Sequence, residues 1–442
     1  MTTSANQKSF VFMAEIRPFR AWRYNKSLST QLDELTSPLF DVISSKQRES
    51  LYKNPYNSIH LSVPRSIPEA ASLLNDWKTK GILVQDTLPT LYVYYQYFSL
   101  SGSTKEYCRK GFITHIKAYD WEEKIVLRHE NTIPHGVNDR LKLLKTLQMD
   151  TSPTHGLYED VEKNLEPYMD EAIQSPLYET EDYQGVREVV AVIHDVLVIK
   201  KFIDTLKDKK IILADGHHRY ESAIEYRKKM RLANPHHTDY ESYNYHLMYL
   251  TNLSSEDIRI LPTHRLIQHV SLPDEKEIIK KIETYFTCKA VDNVYDLQEI
   301  ILGKKWAFGL VLKNNCYKIR LRPNLFSTMS WNFPDVIKEL DLTVLHYFII
   351  EKVLGIAGKD QRSSEKIAFN RSLPDCLHLV EEGKAQMALI TQAVTMEEIK
   401  KVCLTGYTMP QKSTYFYPKV IAGFVFSSLK SDEFESSFNS SF

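Results

Sequence analysis

The chain has 442 residues, 43% of them hydrophobic and 25% charged, an ordinary globular composition long enough for two or three domains or one elaborated one. Lys+Arg and Asp+Glu both number 56, so the formal net charge is zero, which argues against a nucleic-acid partner because such affinity comes mostly from basic surface. The five cysteines show no CxxC or Cys/His metal spacing, no apolar run approaches the roughly 20 residues of a membrane span, and Met1 to Phe10 lacks the apolar core of a secretory signal, so a cytoplasmic protein without a membrane partner is expected.

In chain order, Phe10-Val11-Phe12 and Tyr92 to Tyr95 read as strands by their β-branched and aromatic content, and Glu69 to Lys80 as a helix with Ala70, Leu73, Leu74 and Trp77 on one face. Gly111 to Ile116 alternates as a strand, and Asn138 to Thr146 is a short helix. A long polar stretch follows, in which His155 reads as a surface residue, as do His236 and His237 later. Glu188 to Val198 is strand-like, Lys200 to Lys207 helical, Ile211 to Leu213 a short buried strand, His217 to Arg231 a helix and Tyr245 to Leu250 a strand. Beyond these, Trp306 to Leu312 and Tyr317 to Leu321 form a hairpin, Leu342 to Val353 is a strongly apolar helix and Met387 to Thr391 a strand. Met396 to Val402 is a helix whose Thr395 and Glu398 have capping-box spacing. The expected organisation is α+β: an N-terminal α/β region over 1–110, a core over 111–265, a C-terminal α/β region over 266–430 and a disordered tail over 431–442.

The chemistry concentrates where the strand ending at Leu213 meets the helix opening at His217. Between and just after them stand Asp215, Gly216, His217, His218 and Arg219. Glycine there lets the backbone turn sharply. The unpaired amides and positive dipole end of the helix make an anion site, to which His217, His218 and the planar Arg219 fork add donors. Asp215 supplies a carboxylate for a metal ion or an ammonium. A helix cap would explain Asp215-Gly216 alone, but not two histidines and an arginine at the same helix start. No G-x-x-x-x-G-K-[ST] loop occurs.

Three further clusters suit the same chemistry. Thr263-His264-Arg265 offers anion donors, although a solvent-exposed turn explains it equally well. Glu130 follows the strand-like Ile125 to Leu127, where a buried carboxylate could serve as general base. Lys412-Ser413-Thr414 resembles the end of a phosphate loop without its glycines.

Ala214 to Tyr220, with Arg17-Pro18-Phe19, Ser37-Pro38-Leu39-Phe40-Asp41, Asn54 to His60, His129-Glu130-Asn131-Thr132, Asp139-Arg140-Leu141, Leu261 to Arg265 and Pro410 to Lys419, resembles a widespread bacterial and archaeal domain-of-unknown-function family along nearly the whole chain. Its Asp-Gly-His-His-Arg core is similar to that of free-serine kinases of the ParB/sulfiredoxin-like fold. The resemblance implies a mixed-sheet catalytic core of that fold at 111–265, interrupted by an insertion. It further implies transfer of a phosphoryl group from ATP, ADP or pyrophosphate, with Mg²⁺ held partly by Asp215, to a small hydroxyl acceptor such as free L-serine. Glu130 would act as base, with Asp215 and His218 catalytic. Gly216, His217, Arg219, Thr263, His264, Arg265, Lys412 and Ser413 would hold phosphate and substrate. The chain departs from the family pattern at Leu39-Phe40, where a Pro-Tyr pair with its phenol is usual. The rival readings are a phosphate- or nucleotide-sensing, DNA-associated module, and a phosphoester hydrolase using the same pocket. Alanine at Asp215 or Arg219 is expected to abolish activity with little loss of stability.

Overall fold

The computed structural model describes residues 14–100 and 102–434, so the strand expected at Phe10 to Phe12 and the tail at 435–442 lie outside the described residues. The chain forms two compact units. The first comprises residues 14–128, 132–258 and 418–434; the second comprises 129–131 and 259–417. These bounds differ from the expected divisions at 110 and 265. Leu91–Ser99 pairs along its length with Glu106–Lys117, and Tyr245–Asn252 pairs with that strand in turn, so no boundary passes through residue 110.

The first unit is built on a mixed sheet of nine strands among the described residues. From one edge it runs Val126–Arg128, Ile211–Asp215, Thr154–Tyr158, Tyr245–Asn252, Glu106–Lys117, Leu91–Ser99, Arg187–Ile193 and Tyr178–Glu181, with Ile16–Arg17 joined to Glu106–Lys117. Ile211–Asp215 is parallel to Val126–Arg128, and Thr154–Tyr158 is parallel to Tyr245–Asn252; the other pairings are antiparallel. Alternate side chains enter two separate cores, as strand geometry requires. Val93, Tyr95, Phe112, Met248 and Leu250 pack with Ile199, Phe202 and Tyr220 on one face. Tyr92, Tyr94, Ile113, Leu247 and Tyr249 pack with Trp77, Leu143, Phe424 and Phe426 on the other.

Two local expectations change here. The strand expected over Glu188 to Val198 stops at Ile193, because the Asp195 carboxylate accepts from the amides of Leu197 (2.8 Å) and Val198 (3.0 Å) and opens the helix Val196–Leu206. The tail does not begin at 431. Glu433 accepts from the Trp22 indole (2.8 Å) and from Lys78 (2.6 Å), and Phe434 stacks on His115, so residues 431–434 are packed against the first unit.

The second unit carries a six-stranded antiparallel sheet among the described residues, in the order Phe286–Val291, Cys316–Leu321, Ala307–Val311, Met387–Ile390, His264–Ile267 and Ile367–Asn370. The expected hairpin is the Ala307–Val311/Cys316–Leu321 pair, and the capping box at Thr395 and Glu398 is present. The apolar helix expected from Leu342 is α-helical only over Asp341–Val344. It widens into a π-helix over Leu345–Val353, closed by the Leu354 amide reaching back five residues to the Ile349 carbonyl.

Candidate functional site

In the first unit, the strand Ile211–Asp215 leads through Gly216 into the helix His217–Ala233. The pairing with Thr154–Tyr158 shifts register between Leu213 and Asp215, an irregularity of the kind that re-aims a side chain at a strand end. Gly216 has φ +87°, and a Cβ there would stand 2.7 Å from Thr154 Cγ2 and 2.9 Å from Arg219 Nη2, so the turn has neither the backbone angle nor the space for a side chain.

Asp215, His217 and Arg219 are all buried. Arg219 Nη2 donates to Asp215 Oδ2 (3.1 Å). Its Nη1 donates to Ser152 Oγ (3.2 Å) and to the Pro153 carbonyl, so the guanidinium clamps the helix start to the neighbouring strand entry. Asp215 Oδ1 accepts from Lys419, which is also buried. Burial alone would raise the Asp215 carboxyl; the Lys419 and Arg219 charges outweigh it and hold the group below the ordinary carboxylate range. His218 is placed differently from its neighbours. Its Nε2 accepts from the Ile133 amide (3.0 Å) at the start of the helix Pro134–Leu147, and its ring lies over Gly136, where a Cβ would stand 2.7 Å from His218 Cδ2.

His155, expected at the surface, is instead a buried strand residue registered opposite Asp215. Its Nε2 meets Thr251 Oγ1 at 2.8 Å, and its ring stacks on Tyr249. Burial drives its pKa far down, aided by the charges of Arg109, Lys419 and Arg219 against that of Asp215. Arg109 donates to the Gln96 side-chain oxygen, and Gln96 Nε2 donates to Glu188 Oε1 (3.1 Å) and to the Lys419 carbonyl (3.0 Å). Burial lifts the Glu188 carboxyl to about 8, so it is protonated at neutral pH. The charges acting on His155 are those of Arg109, Lys419 and Arg219 against that of Asp215, while Asp41 and Asp150 also act on Arg219 and Glu188 faces Arg109. The cluster lies beside the positive end of a 17-residue helix.

This donor set does not fit Mg²⁺ on Asp215. Both carboxylate oxygens already face cationic nitrogens, and no group of three metal-ligating side chains occurs among the described residues. Lys419, Arg109, Glu188 and His155 were not singled out as site residues from sequence. Each sits in an otherwise ordinary strand or segment, and only the fold brings them together.

The remaining expected residues belong to the second unit. Thr263, His264 and Arg265 were expected to face an anion, but all three are buried. His264 Nδ1 accepts from the Thr391 amide (3.2 Å), and burial lowers its pKa to about 4, so the ring is neutral and brings no positive charge to a phosphate. Arg265 donates from Nε to His346 (3.3 Å), from Nη1 to the Thr263 carbonyl, and from Nη2 to the Gln411 carbonyl (3.1 Å). Burial pushes Arg265 down to about 9, with the Glu130 charge opposing. Ser413 is buried and donates to the Pro410 carbonyl (2.5 Å); Lys412 is exposed at φ +54°. Glu130, half-buried, lines a cavity of about 750 Å³ together with Asn131, Trp331, Thr343, His346 and Gln411.

No helix among the described residues is long and apolar enough to cross a membrane. No curated protein matches the chain. Among solved structures it is similar to a conserved hypothetical protein from Pyrococcus furiosus (TM-score 0.36, 12% identity, covering 72% of this chain and 95% of that one). It is similar also to a free serine kinase variant in complex with AMP (0.36, 12%, 73% and 94%) and to SbnI with a C-terminal truncation from Staphylococcus aureus (0.36, 12%, 72% and 90%). The model of the family described as a protein of unknown function, DUF1015, matches residues 16–343, most of the chain, and the protein belongs to that family.

Proposed function

We propose that the chain is a phosphotransferase whose first unit holds a phosphoryl group at the start of the helix His217–Ala233, and that its sheet is the core of a ParB/sulfiredoxin-like domain. The observation that carries the reading is the gathering of Arg109, Arg219 and Lys419 around His155 and Asp215, beside a helix N-terminus. Gathering cations in the interior is costly, and a bound anion offsets part of that cost. Phosphate suits the arrangement because such transfer needs mainly positioning and neutralisation from the protein. In this reading Asp215 fixes the two cations rather than a metal, and His218 ties the site to the helix Pro134–Leu147. The acceptor is the hydroxyl of a small molecule, free L-serine in the first instance. The donor is ATP, ADP or pyrophosphate.

The experiment is incubation of the whole chain with serine and each donor, with O-phosphoserine measured. Formation of O-phosphoserine with one donor, lost in Arg219→Lys, is the expected result. If no donor yields phosphoserine and neither phosphate nor pyrophosphate binds, the reading is wrong. Phosphate release without any acceptor would move the activity to hydrolysis at the same site.

A further inference from the structure

Ser37-Pro38-Leu39-Phe40-Asp41 belongs to the first unit and ends in a carboxylate to which the phosphate cluster assigns no role. The backbone before that carboxylate is pinned. Ser37 exchanges both of its backbone hydrogen bonds with Ala422 (3.0 and 2.9 Å), three residues beyond Lys419. Ser37 Oγ meets Ser58 Oγ (2.8 Å) and Ser62 Oγ (3.3 Å), and Ser58 Oγ donates to the Ala422 carbonyl (3.1 Å). Asn57 Nδ2 donates to the Thr36 carbonyl (2.8 Å). All of these residues are buried, as is Leu39. Past this anchored stretch the chain turns, with the Leu39 carbonyl accepting from the amides of Val42 and Ile43 (both 3.2 Å), and Asp41 stands exposed at the turn.

The turn lies on the side of the first unit where Arg219 is held. Arg140, on the helix Pro134–Leu147, places its guanidinium over the Phe40 ring (4.6 Å) and donates to the Ser62 carbonyl (2.7 Å). The start of that helix is the one tied to His218 through the Ile133 amide. The carboxylates whose charge bears on Arg219 are, from the strongest, Asp215, Asp41 and Asp150. Two of them are committed elsewhere. Asp215 is fixed between Lys419 and Arg219. Asp150 is buried, and its Oδ2 accepts from the Leu247 amide (3.1 Å) and faces His246 Nδ1 (3.3 Å). The Asp41 side chain has no hydrogen bond or ion pair among the described residues. A base for phosphoryl transfer has to stand close to the phosphoryl group and keep its oxygens available for the proton.

Resting on the phosphotransferase reading, we infer that Asp41 is the general base that takes the proton of the acceptor hydroxyl. The hydroxyl sits between Asp41 and the phosphoryl group beside Arg219. As its oxygen bonds to phosphorus, the hydroxyl proton passes to the Asp41 carboxylate. The phosphorus–oxygen bond to the donor breaks, and the electron pair leaves on the donor oxygen. The base is then a residue of the first unit in place of Glu130, which belongs to the second.

The test is the serine-dependent assay on the full chain, with kcat and KM measured across pH and the affinities for ADP and pyrophosphate measured by calorimetry. Asp41→Asn should lower kcat about 10²–10⁴-fold, the scale of one general base, and leave the serine KM and the donor affinities within about twofold. The wild-type kcat should fall toward acid pH as the base is protonated, and Asp41→Asn should lack that limb. Asp41→Glu should recover part of the rate, and both variants should melt with the wild type because the side chain is exposed. A serine KM that rises while kcat is kept would make Asp41 a substrate anchor and overturn its role as base. An active wild type with Asp41→Asn unaffected overturns this assignment alone. A wild-type chain inactive with every donor overturns both this assignment and the reading beneath it.

Discussion

Gly216 concentrates several demands in one position. Its φ of +87° and the 2.7 Å approach to Thr154 mean that Gly216→Ala costs both a left-handed backbone penalty and a clash, together about 2–4 kcal/mol, to be read from urea denaturation. A wild-type midpoint in that variant would refute the tightness of the turn. Asp215 and Arg219 carry a second residue-level consequence. Alanine at Asp215 was expected to spare stability, on the view that the residue lies outside the core. Its carboxylate instead separates two buried cations, so Asp215→Ala should lose about 3–5 kcal/mol in the same assay, with the loss reduced when phosphate is added. The strand, the glycine turn and the histidines were legible in sequence because they are consecutive. Lys419 was quoted only as the end of the Pro410 to Lys419 run, and its partnership with Asp215, 204 positions away, was not legible there.

At the scale of elements, periodicity located most strands and helices, and it failed where a polar residue is buried. His155 sits in Thr154–Tyr158, a strand inside a stretch whose polarity suggested a surface loop, yet that strand lies between Ile211–Asp215 and Tyr245–Asn252. Hydroxyl and imidazole groups enter a sheet interior when neighbouring strands supply partners, as Thr251 does for His155, and only strand order reveals this. The strand Arg187–Ile193 carries a similar case in Glu188. Its carboxyl is lifted to about 8 in the fold, chiefly by burial, and the nearby Asp182 raises it further, while Tyr94, Gln96 and Arg109 act in the opposite direction. A folded pKa above the unfolded value means that the folded state holds the extra proton. Its contribution is complete below about pH 4.5 and is lost as pH rises through about 8. Thermal melts should therefore fall from pH 6 to pH 9, and Glu188→Gln, which preserves the bond from Gln96 if its amide oxygen takes that place, should flatten the fall. An unchanged slope in the variant would remove Glu188 as its source.

For the whole molecule, the first unit draws on both ends of the described chain. Residues 418–434 give it Lys419, the core rings Phe424 and Phe426, the strand Ser427–Ser428 paired to Met149–Asp150, and the Glu433 contacts. A chain ending at Tyr417 should therefore lose the cooperative melt of the first unit, measured by circular dichroism, and with it phosphate binding. A chain ending after Phe434 should keep both. Retention of a sharp first-unit transition in the shorter chain would show that the segment is dispensable.

The same arrangement sets an order of events during synthesis. Asp215 and Arg219 leave the ribosome together, but Lys419 follows only after residues 259–417 have been translated, which at about 5–20 residues per second takes on the order of ten seconds. Through that interval the nascent chain carries the Asp215–Arg219 pair without its second cation and a sheet whose Phe424 and Phe426 cover is missing. Residues 418–434 are thus the last part of the first unit to be made, and a nascent protein stalled before them exposes apolar surface of the kind chaperones retain.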